Sequence, residues 1–333
     1  MKGSKQYRIA LCLLTFLLLC VLFFISIHVG SLHVSLSQLW NGLFVSYDET
    51  VATIYHIRFP RIFLTMIAGA GLSVSGVLLQ AVMKNPLADP GIIGVSGGAS
   101  IMSVIVVMLF PQYYFMTPLF AFFGGLIACM IVYSLSWKSG LNPLRMILIG
   151  VAIQSICSAV LEVLNTLSGG NLTGVASIVN QNISLKTWND VTMLAVHIIP
   201  TLCLSLFCIK QCNLLALDDK TLNSLGVNVT TVRVILSILA VLLASITTAI
   251  LGVISFLALL VPHIARILVG HDHKILIPYS MLLGASLLLA ADTIGRILVS
   301  PYEISAGIVM AIIGGPLFIF LLRRSQTDGS ETY

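Results

Sequence analysis

The sequence predicts an all-α integral membrane protein with ten transmembrane helices. Three observations carry that expectation. Of 333 residues, 58% are hydrophobic and 9% are charged, against roughly 25% charged in an ordinary soluble domain. Mean hydropathy is +1.06. Apolar runs recur along the whole length, and ten crossings of about 20 residues each would use about two-thirds of the chain. A soluble globule of this size cannot cover its surface with so few charges. Disorder needs low hydrophobicity and high charge, and Gly (26) and Pro (11) are too ordinary in number for a collagenous chain. One transmembrane domain over residues 1–333 leaves no room for a soluble domain.

The first span, 9–29, contains the uncharged run Ile9 to Ile27 behind Lys2, Lys5 and Arg8. It exceeds a signal-peptide core and no A-x-A site follows, so it is read as a retained helix. The second, 62–83, carries Gly69, Ala70, Gly71, Ser73, Ser75 and Gly76. Gly69/Ser73 and Gly71/Ser75 are small-xxx-small pairs, which let backbones approach closely and predict a buried helix. Spans 92–110, 114–136, 143–167 and 190–209 follow from hydropathy. The next apolar stretch, 232–269, reads as one long helix or as two, 232–251 and 255–269, divided at Gly252. Spans 276–298 and 305–322 complete the set.

Charge decides the division. With ten spans and both termini cytoplasmic, 13 of the 17 Lys and Arg residues fall inside; Arg58, Arg61, Lys186 and Arg296 fall outside. Merging the two spans gives 10 inside and 7 outside. The positive-inside rule therefore favours ten. The seven cysteines lie in or beside apolar stretches without metal-ligand spacing, and are read as packing residues.

Several features bear on function. No G-x-x-x-x-G-K-[ST] is present, so energy for uphill movement would come from another subunit or an ion. Gln154, Ser158, Glu162 and Asn165 (with Thr166) recur on one face of the fifth span. They form a pathway wall or an interhelical hydrogen-bond ladder. Arg58, Arg61 and Arg296 flank spans on the outer side. They either dock an acidic partner or snorkel and pair internally with Glu303 or Asp292. In the loop 210–231, Leu217, Leu222 and Leu225 mix with Asp218, Asp219 and Lys220, and Gly226 ends the pattern as a C-cap. An amphipathic segment there suits a soluble partner or the lipid headgroups. His271-Asp-His273 is read as a solvated turn and His263 as a packing residue. Gly94-Val-Ser96-Gly has the look of an intramembrane serine protease, with His263 as base. Its place near a cytoplasmic span end argues against that reading. Glu162 and Asp292 would be the relay carboxylates of a proton-coupled carrier.

Eight motifs in order resemble the permease subunits of ABC importers for iron-siderophores, haem and cobalamin, the FecCD type. They are Ile57-Arg-Phe-Pro-Arg61, the stretch Gly69 to Gln80, and Asn85-Pro-Leu-Ala-Asp-Pro90 with Gly94-Val-Ser. Leu214 to Leu217 with Leu225-Gly226, Val261-Pro-His-Ile-Ala-Arg266 and Asp272-His-Lys follow. Gly284-Ala-Ser with Ala290-Ala-Asp-Thr293, and Pro301-Tyr-Glu303 with Gly314-Gly-Pro316, close the series. The resemblance implies a type II ABC importer permease fold working as a dimer with an identical or sister permease. It implies two cytoplasmic ATPases, which carry ATP and Mg, and an extracytoplasmic substrate-binding protein. This chain would bind no cofactor or metal and catalyse no covalent chemistry. Arg58, Arg61 and Arg296 would meet acidic residues of the binding protein, and Leu217, Asp218, Asp219, Leu222, Leu225 and Gly226 would couple to the ATPase. The fifth span would border the translocation path. An iron(III)-siderophore is the first expectation for cargo. Residues 111–125 and 181–195 look closer to haem permeases of Gram-positive bacteria. Arg58→Glu with Arg61→Glu is expected to weaken docking with expression intact.

Overall fold

The residues from Glu49 to Met83 form one 35-residue helix, against which six or more of the other helices pack. The computed structural model describes residues 5–29, 34–136, 143–167, 183–184, 186–299 and 302–327. In chain order the helices are α1 (Lys5–His28), α2 (Leu36–Phe44), α3 (Glu49–Met83), α4 (Val95–Leu109) and α5 (Thr117–Ser136). They continue with α6 (Pro143–Leu167), α7 (Trp188–Phe207), the short α8 (Ile209–Leu214) and α9 (Asp219–Ser224), then α10 (Val229–Leu251), α11 (Leu257–Val269), α12 (His273–Ile297) and α13 (Ala306–Thr327). A 3-10 turn, Pro111–Met116, precedes α5.

Each of the ten expected spans coincides with a helix. Seven of these helices have the length and composition to cross a membrane; Val95–Leu109, Leu257–Val269 and Ala306–Phe320 are shorter apolar helices. The division at Gly252 is real. Gly252 has φ +79° and closes α10, and the backbone stays non-helical until α11 begins at Leu257. Phe256 holds φ +63° at that junction, an uncommon conformation for a bulky residue. Gly314 lets α13 come against it, since a Cβ there would lie 2.8 Å from that of Phe256.

α3 packs against α1, α7, α10, α11 and α12, and its small residues serve different neighbours. Gly69 and Ser73 face Gly284 of α12. Ser75 Oγ donates to the Ala240 carbonyl of α10 at 2.7 Å, and Gly76 abuts the Ala258 backbone of α11. Without a hydrophobic force between helices in lipid, such close backbone contact supplies the cohesion. The predicted burial of this helix therefore holds on several faces at once.

Three expectations change. The second span begins at Glu49 rather than residue 62, so Pro60 lies inside the helix and Arg58 and Arg61 are helical residues. A separate helix, α2, lies in the connection between the first two spans, where hydropathy gave no helix. The turn at His271 is only partly solvated: His273 is buried, its backbone N–H donates to Asn213 Oδ1 at 3.0 Å, and its Nδ1 lies 2.7 Å from the same oxygen. Most of the expected outer connection 168–189 lies outside the described residues.

Candidate functional site: a buried charge cluster, an open helix face and a loop at the opposite end

At one end of the bundle the three arginines meet two carboxylates. Arg61 Nε lies 2.9 and 3.0 Å from the two oxygens of Asp292, and its Nη1 reaches Glu303 Oε2 at 2.7 Å and Ser184 Oγ at 3.2 Å. Asp292 is completely buried. Arg296 Nε stands 3.4 Å from Asp292 Oδ2, an ion pair without hydrogen-bond geometry. Its other nitrogens donate to the carbonyl (3.1 Å) and hydroxyl of Ser26 on α1. Arg58 donates to the Ile27 carbonyl at 2.6 Å. Sequence spacing placed Arg58 and Arg61 just outside the second span; both lie within α3 and are buried, and Arg61 pairs internally. Of the alternatives weighed for these arginines, internal pairing with Asp292 and Glu303 describes Arg61 and Arg296. Three guanidinium groups face two carboxylates, so one net positive charge remains.

Glu303, in the loop before α13, feels opposing influences. Burial raises its pKa, but the Ser184 hydroxyl and the Arg61 and Arg296 guanidinium groups outweigh that, and the group ends below the usual range. Nearby, burial lowers the Lys186 ammonium, while Asp190, 3.8 Å away, opposes it.

The polar stripe of α6 divides along the helix. Gln154 turns towards α4, where its Oε1 is buried, unpaired and close to Gly97. Ser158 and Glu162 are exposed and Asn165 is half-buried. Ala159, Glu162, Val163, Thr166 and Leu167 line an open depression of about 370 Å³. The helix packs on α4 and α5 and leaves Leu148, Val151, Ile156 and Val163 uncovered.

At the opposite end from Arg58, the loop after α7 folds into α8 and α9. Gly226 has φ +74° and Val227 N–H donates to the Leu222 carbonyl, the expected glycine C-cap. Leu222 is fully buried, whereas Leu217 and Leu225 are exposed beside Asp218 and Lys220. Asp219 holds the segment in place. Lys84 Nζ at the end of α3 and Arg233 Nη1 on α10 each lie 3.0 Å from one of its oxygens. Partial burial raises this carboxyl, and Lys84 and Arg233 together bring it below its ordinary value. Sequence spacing did not reveal the Lys84 and Arg233 partners, which lie 135 and 14 residues away. Asn213 extends the tie to α12 through Asp272 at 2.9 Å.

The loop 84–94 shows why its motif has that form. Asn85 Oδ1 accepts from Leu87 N–H at 2.9 Å, and Asp89 Oδ1 accepts from Gly91 N–H at 2.7 Å and Ile92 N–H at 3.2 Å. Gln80 joins this loop to α11, donating to the Ala88 carbonyl and accepting from Arg266. Burial pushes the Asp89 carboxyl up to about 6, against the pull of its two backbone donors. A raised carboxyl favours the folded state in acid and loses that contribution as pH rises from 3.8 through about 6. Asp89→Asn keeps the acceptor and removes the charge. It is expected to be more stable than the parent at pH 8, by at most about 3 kcal/mol. The advantage should vanish below pH 4. Thermal unfolding in detergent across this range checks it, and an unchanged pH profile would refute it.

Two rival sites find no support. Ser96 lies on α4, which packs on α5, α6 and α10, whereas His263 lies on α11, which packs on α1, α3, α12 and α13, and Asp292 is engaged by two arginines. Among the described residues no cluster of His, Cys, Asp and Glu has the makings of a metal site.

Comparison with known proteins now adds to this geometry. The FecCD transport family profile matches residues 18–324. The chain is 41% identical over 325 residues to the protein named "Probable heme-iron transport system permease protein IsdF" of Staphylococcus aureus strain Newman, covering 98% of each chain. The same protein of strain MSSA476 matches equally. Among solved structures, an inward-facing conformation assigned to the metal-chelate type of ABC transporter superposes with TM-score 0.79 at 31% identity, covering 94% of this chain and 98% of that one. PsaBC of Streptococcus pneumoniae shares the fold, with TM-score 0.58 at 17% identity over 86% and 95% of the two chains. The motifs, the packing around α3 and these matches agree: the chain belongs to the FecCD transport family and is a multi-pass membrane permease.

Proposed function

We propose that this chain is the permease subunit of an ATP-driven importer for an iron complex, with haem the first candidate for cargo. The observation that carries it is the 41% identity over 98% of both chains to a haem-iron permease. The iron-complex expectation stands, and these relatives put haem ahead of an iron(III)-siderophore or cobalamin. The permease pairs with a second copy or a sister chain. ATP and Mg reside on two cytoplasmic ATPases, and an extracytoplasmic binding protein delivers cargo. Movement follows alternating access, with a cavity opening first to one side and then to the other.

The parts divide as follows. The exposed Ser158 and Glu162 of α6, with Gln154 and Asn165, border the path. Leu217 and Leu225 are the contacts offered to the ATPase, while Leu222, Asp218, Asp219 and Gly226 shape the segment that bears them. Both termini lie in the cytoplasm with this loop, in keeping with the positive-inside count. The arginine cluster lies at the outer mouth. Docking at Arg58, Arg61 and Arg296 acts through Arg58, whose described contact is a backbone carbonyl, or through rearrangement of the buried pairs.

The test is a reconstituted permease with its ATPases and cognate binding protein. Haem-loaded binding protein is expected to stimulate ATP hydrolysis several-fold over the apo form. A response to ferric siderophore alone would move the cargo, and transport without ATP would overturn the reading. In the same system Asp219→Lys, which repels Lys84 and Arg233, is expected to lower transport per ATP by about ten-fold (~1.4 kcal/mol of coupling). Normal coupling in that variant would remove Asp219 from the transmission path.

A further inference from the structure

We propose that α2 is an interfacial membrane anchor that lies in the headgroup layer on the Arg58 side and inserts Trp40 and Phe44 into lipid. The helix has two non-equivalent apolar faces. Leu39 and Leu43 belong to a cluster with Ile27 of α1 and Val51 and Ile54 of α3. Gly42 lies so close to α3 that an added Cβ would meet the Val51 Cβ at 2.6 Å. That face is fixed further by Gln38 Nε2, which donates to Asp48 Oδ2 at 2.8 Å, and by the Ser35 N-cap. The other face is open. Trp40 is 64% exposed, Phe44 70%, Val45 72% and Tyr47 83%, and the Trp40 and Phe44 rings lie 4.8 Å apart.

Position along the bundle identifies the occupant. Phe59 of α3 contacts Phe23 of α1. Val51 lies eight residues beyond Phe59, about 12 Å along the axis, and Ile27 lies about 6 Å beyond Phe23. α2, packed at Val51, is therefore about 6 Å past the last apolar residue of α1, at headgroup depth. The α1 surface leading to it exposes Phe16, Leu17, Val21 and Phe24, an apolar face continuous with the acyl chains. Chemistry agrees with depth. No Asp, Glu, Lys or Arg occurs from Ile9 to Tyr47, so an acidic protein partner finds no charge on α2. Trp beside Ser37 and Asn41 is the composition that membrane interfaces favour. A second belt at the same end, Tyr55 stacked on Trp188 with ring centroids 5.1 Å apart, has the same character. Anchored in this way, α2 would fix the height of the α3 extension that carries Arg58 and Arg61. This proposal does not depend on the identity of the cargo.

Trp137→Phe with Trp188→Phe leaves Trp40 as the single tryptophan of three. The variant is placed in phosphatidylcholine vesicles with and without lipids brominated near the top of their acyl chains. Trp40 emission is expected to fall at least about two-fold in brominated vesicles and to resist aqueous iodide. Full emission in brominated lipid together with iodide quenching would overturn the proposal. So would iodide quenching that disappears only when binding protein is added, since α2 would then be a protein-docking helix. If the double variant does not fold, 5-fluorotryptophan in the unaltered sequence replaces it, with Trp40→Phe assigning the resonance. Broadening of that resonance by a headgroup-attached spin label supports the anchor, and its absence refutes it.

Discussion

Asp292→Ala is expected to lower the melting temperature sharply and to cut the yield of folded protein. The carboxylate is fully buried and is the shared partner of Arg61 and Arg296. Taking it away leaves Arg61 with Glu303 and leaves Arg296 with Ser26 and Thr293 in a water-poor site. Breaking a buried pair by deleting one member costs about 3–5 kcal/mol, because the surviving charge keeps its desolvation penalty. That is a large part of the about 5–15 kcal/mol that holds a typical domain folded. Asp292→Asn retains an acceptor and should be intermediate. Adding Arg296→Met to Asp292→Ala should recover part of the loss, because the uncompensated charge goes with it. Fluorescence-detected gel filtration after heating ranks the four proteins. Equal melting of the parent and Asp292→Ala would show that the pairing contributes nothing. The same geometry revises the charge-reversal expectation. Arg61→Glu would place a third carboxylate against Asp292 and Glu303, so expression should fall along with docking. Arg58, whose described contact is a backbone carbonyl, is the cleaner residue on which to test docking.

The spans were legible because each depends on a local property, the run of apolar residues, and α6 was read at its observed bounds of 143 and 167. The division at Gly252 was legible through charge, a property summed over loops. The start of α3 was not. Pro60 and two arginines imitate a loop, since Pro commonly marks a helix boundary and bare arginines are costly in lipid. What permits Arg61 is Asp292, 231 residues away in sequence, and Arg58 is met by the Ile27 carbonyl of α1; no pattern within one helix reveals such partners. The segment from Leu214 to Gly226 illustrates both cases. Gly226 announced its own C-cap, whereas the salt bridge from Lys84 to Asp219 depends on the end of α3 reaching a loop that only the fold brings near. α2 was missed because nine residues are too few for a spanning pattern. The open face of α6 was anticipated as a polar stripe, but its turn towards Gly97 at Gln154 depends on where α4 lies.

Gly76→Val is expected to abolish a monodisperse permease, and the contrast with Gly71 makes the expectation specific. Both glycines lie on α3 in the same small-residue run. At Gly76 a Cβ would meet the backbone carbon of Ala258 at 2.7 Å, with its carbonyl oxygen closer still. Backbone cannot move aside as a side chain can, so α11 would have to shift. At Gly71 the nearest atoms are Ile198 Cγ2 at 3.2 Å and Thr247 Oγ1 at 3.4 Å, side-chain atoms that can yield by a few tenths of an ångström. Overpacking typically costs about 1–3 kcal/mol and more when backbone must move. Gly76→Ala should therefore lower the melting temperature by several degrees, Gly71→Ala should leave it nearly unchanged, and Gly76→Val should aggregate. Gly284 faces Ser73 and the Gly69 carbonyl as closely, so Gly284→Val should behave like Gly76→Val. Equal tolerance at Gly71 and Gly76 would show that the helices meet elsewhere. Because α11 follows Phe256, which holds a positive φ, and carries Arg266, which reaches Gln80 near the C-terminal end of α3, a shift at Ala258 would also disturb the loop 84–94. A Gly76→Ala protein that folds but couples ATP poorly would follow directly from that connection.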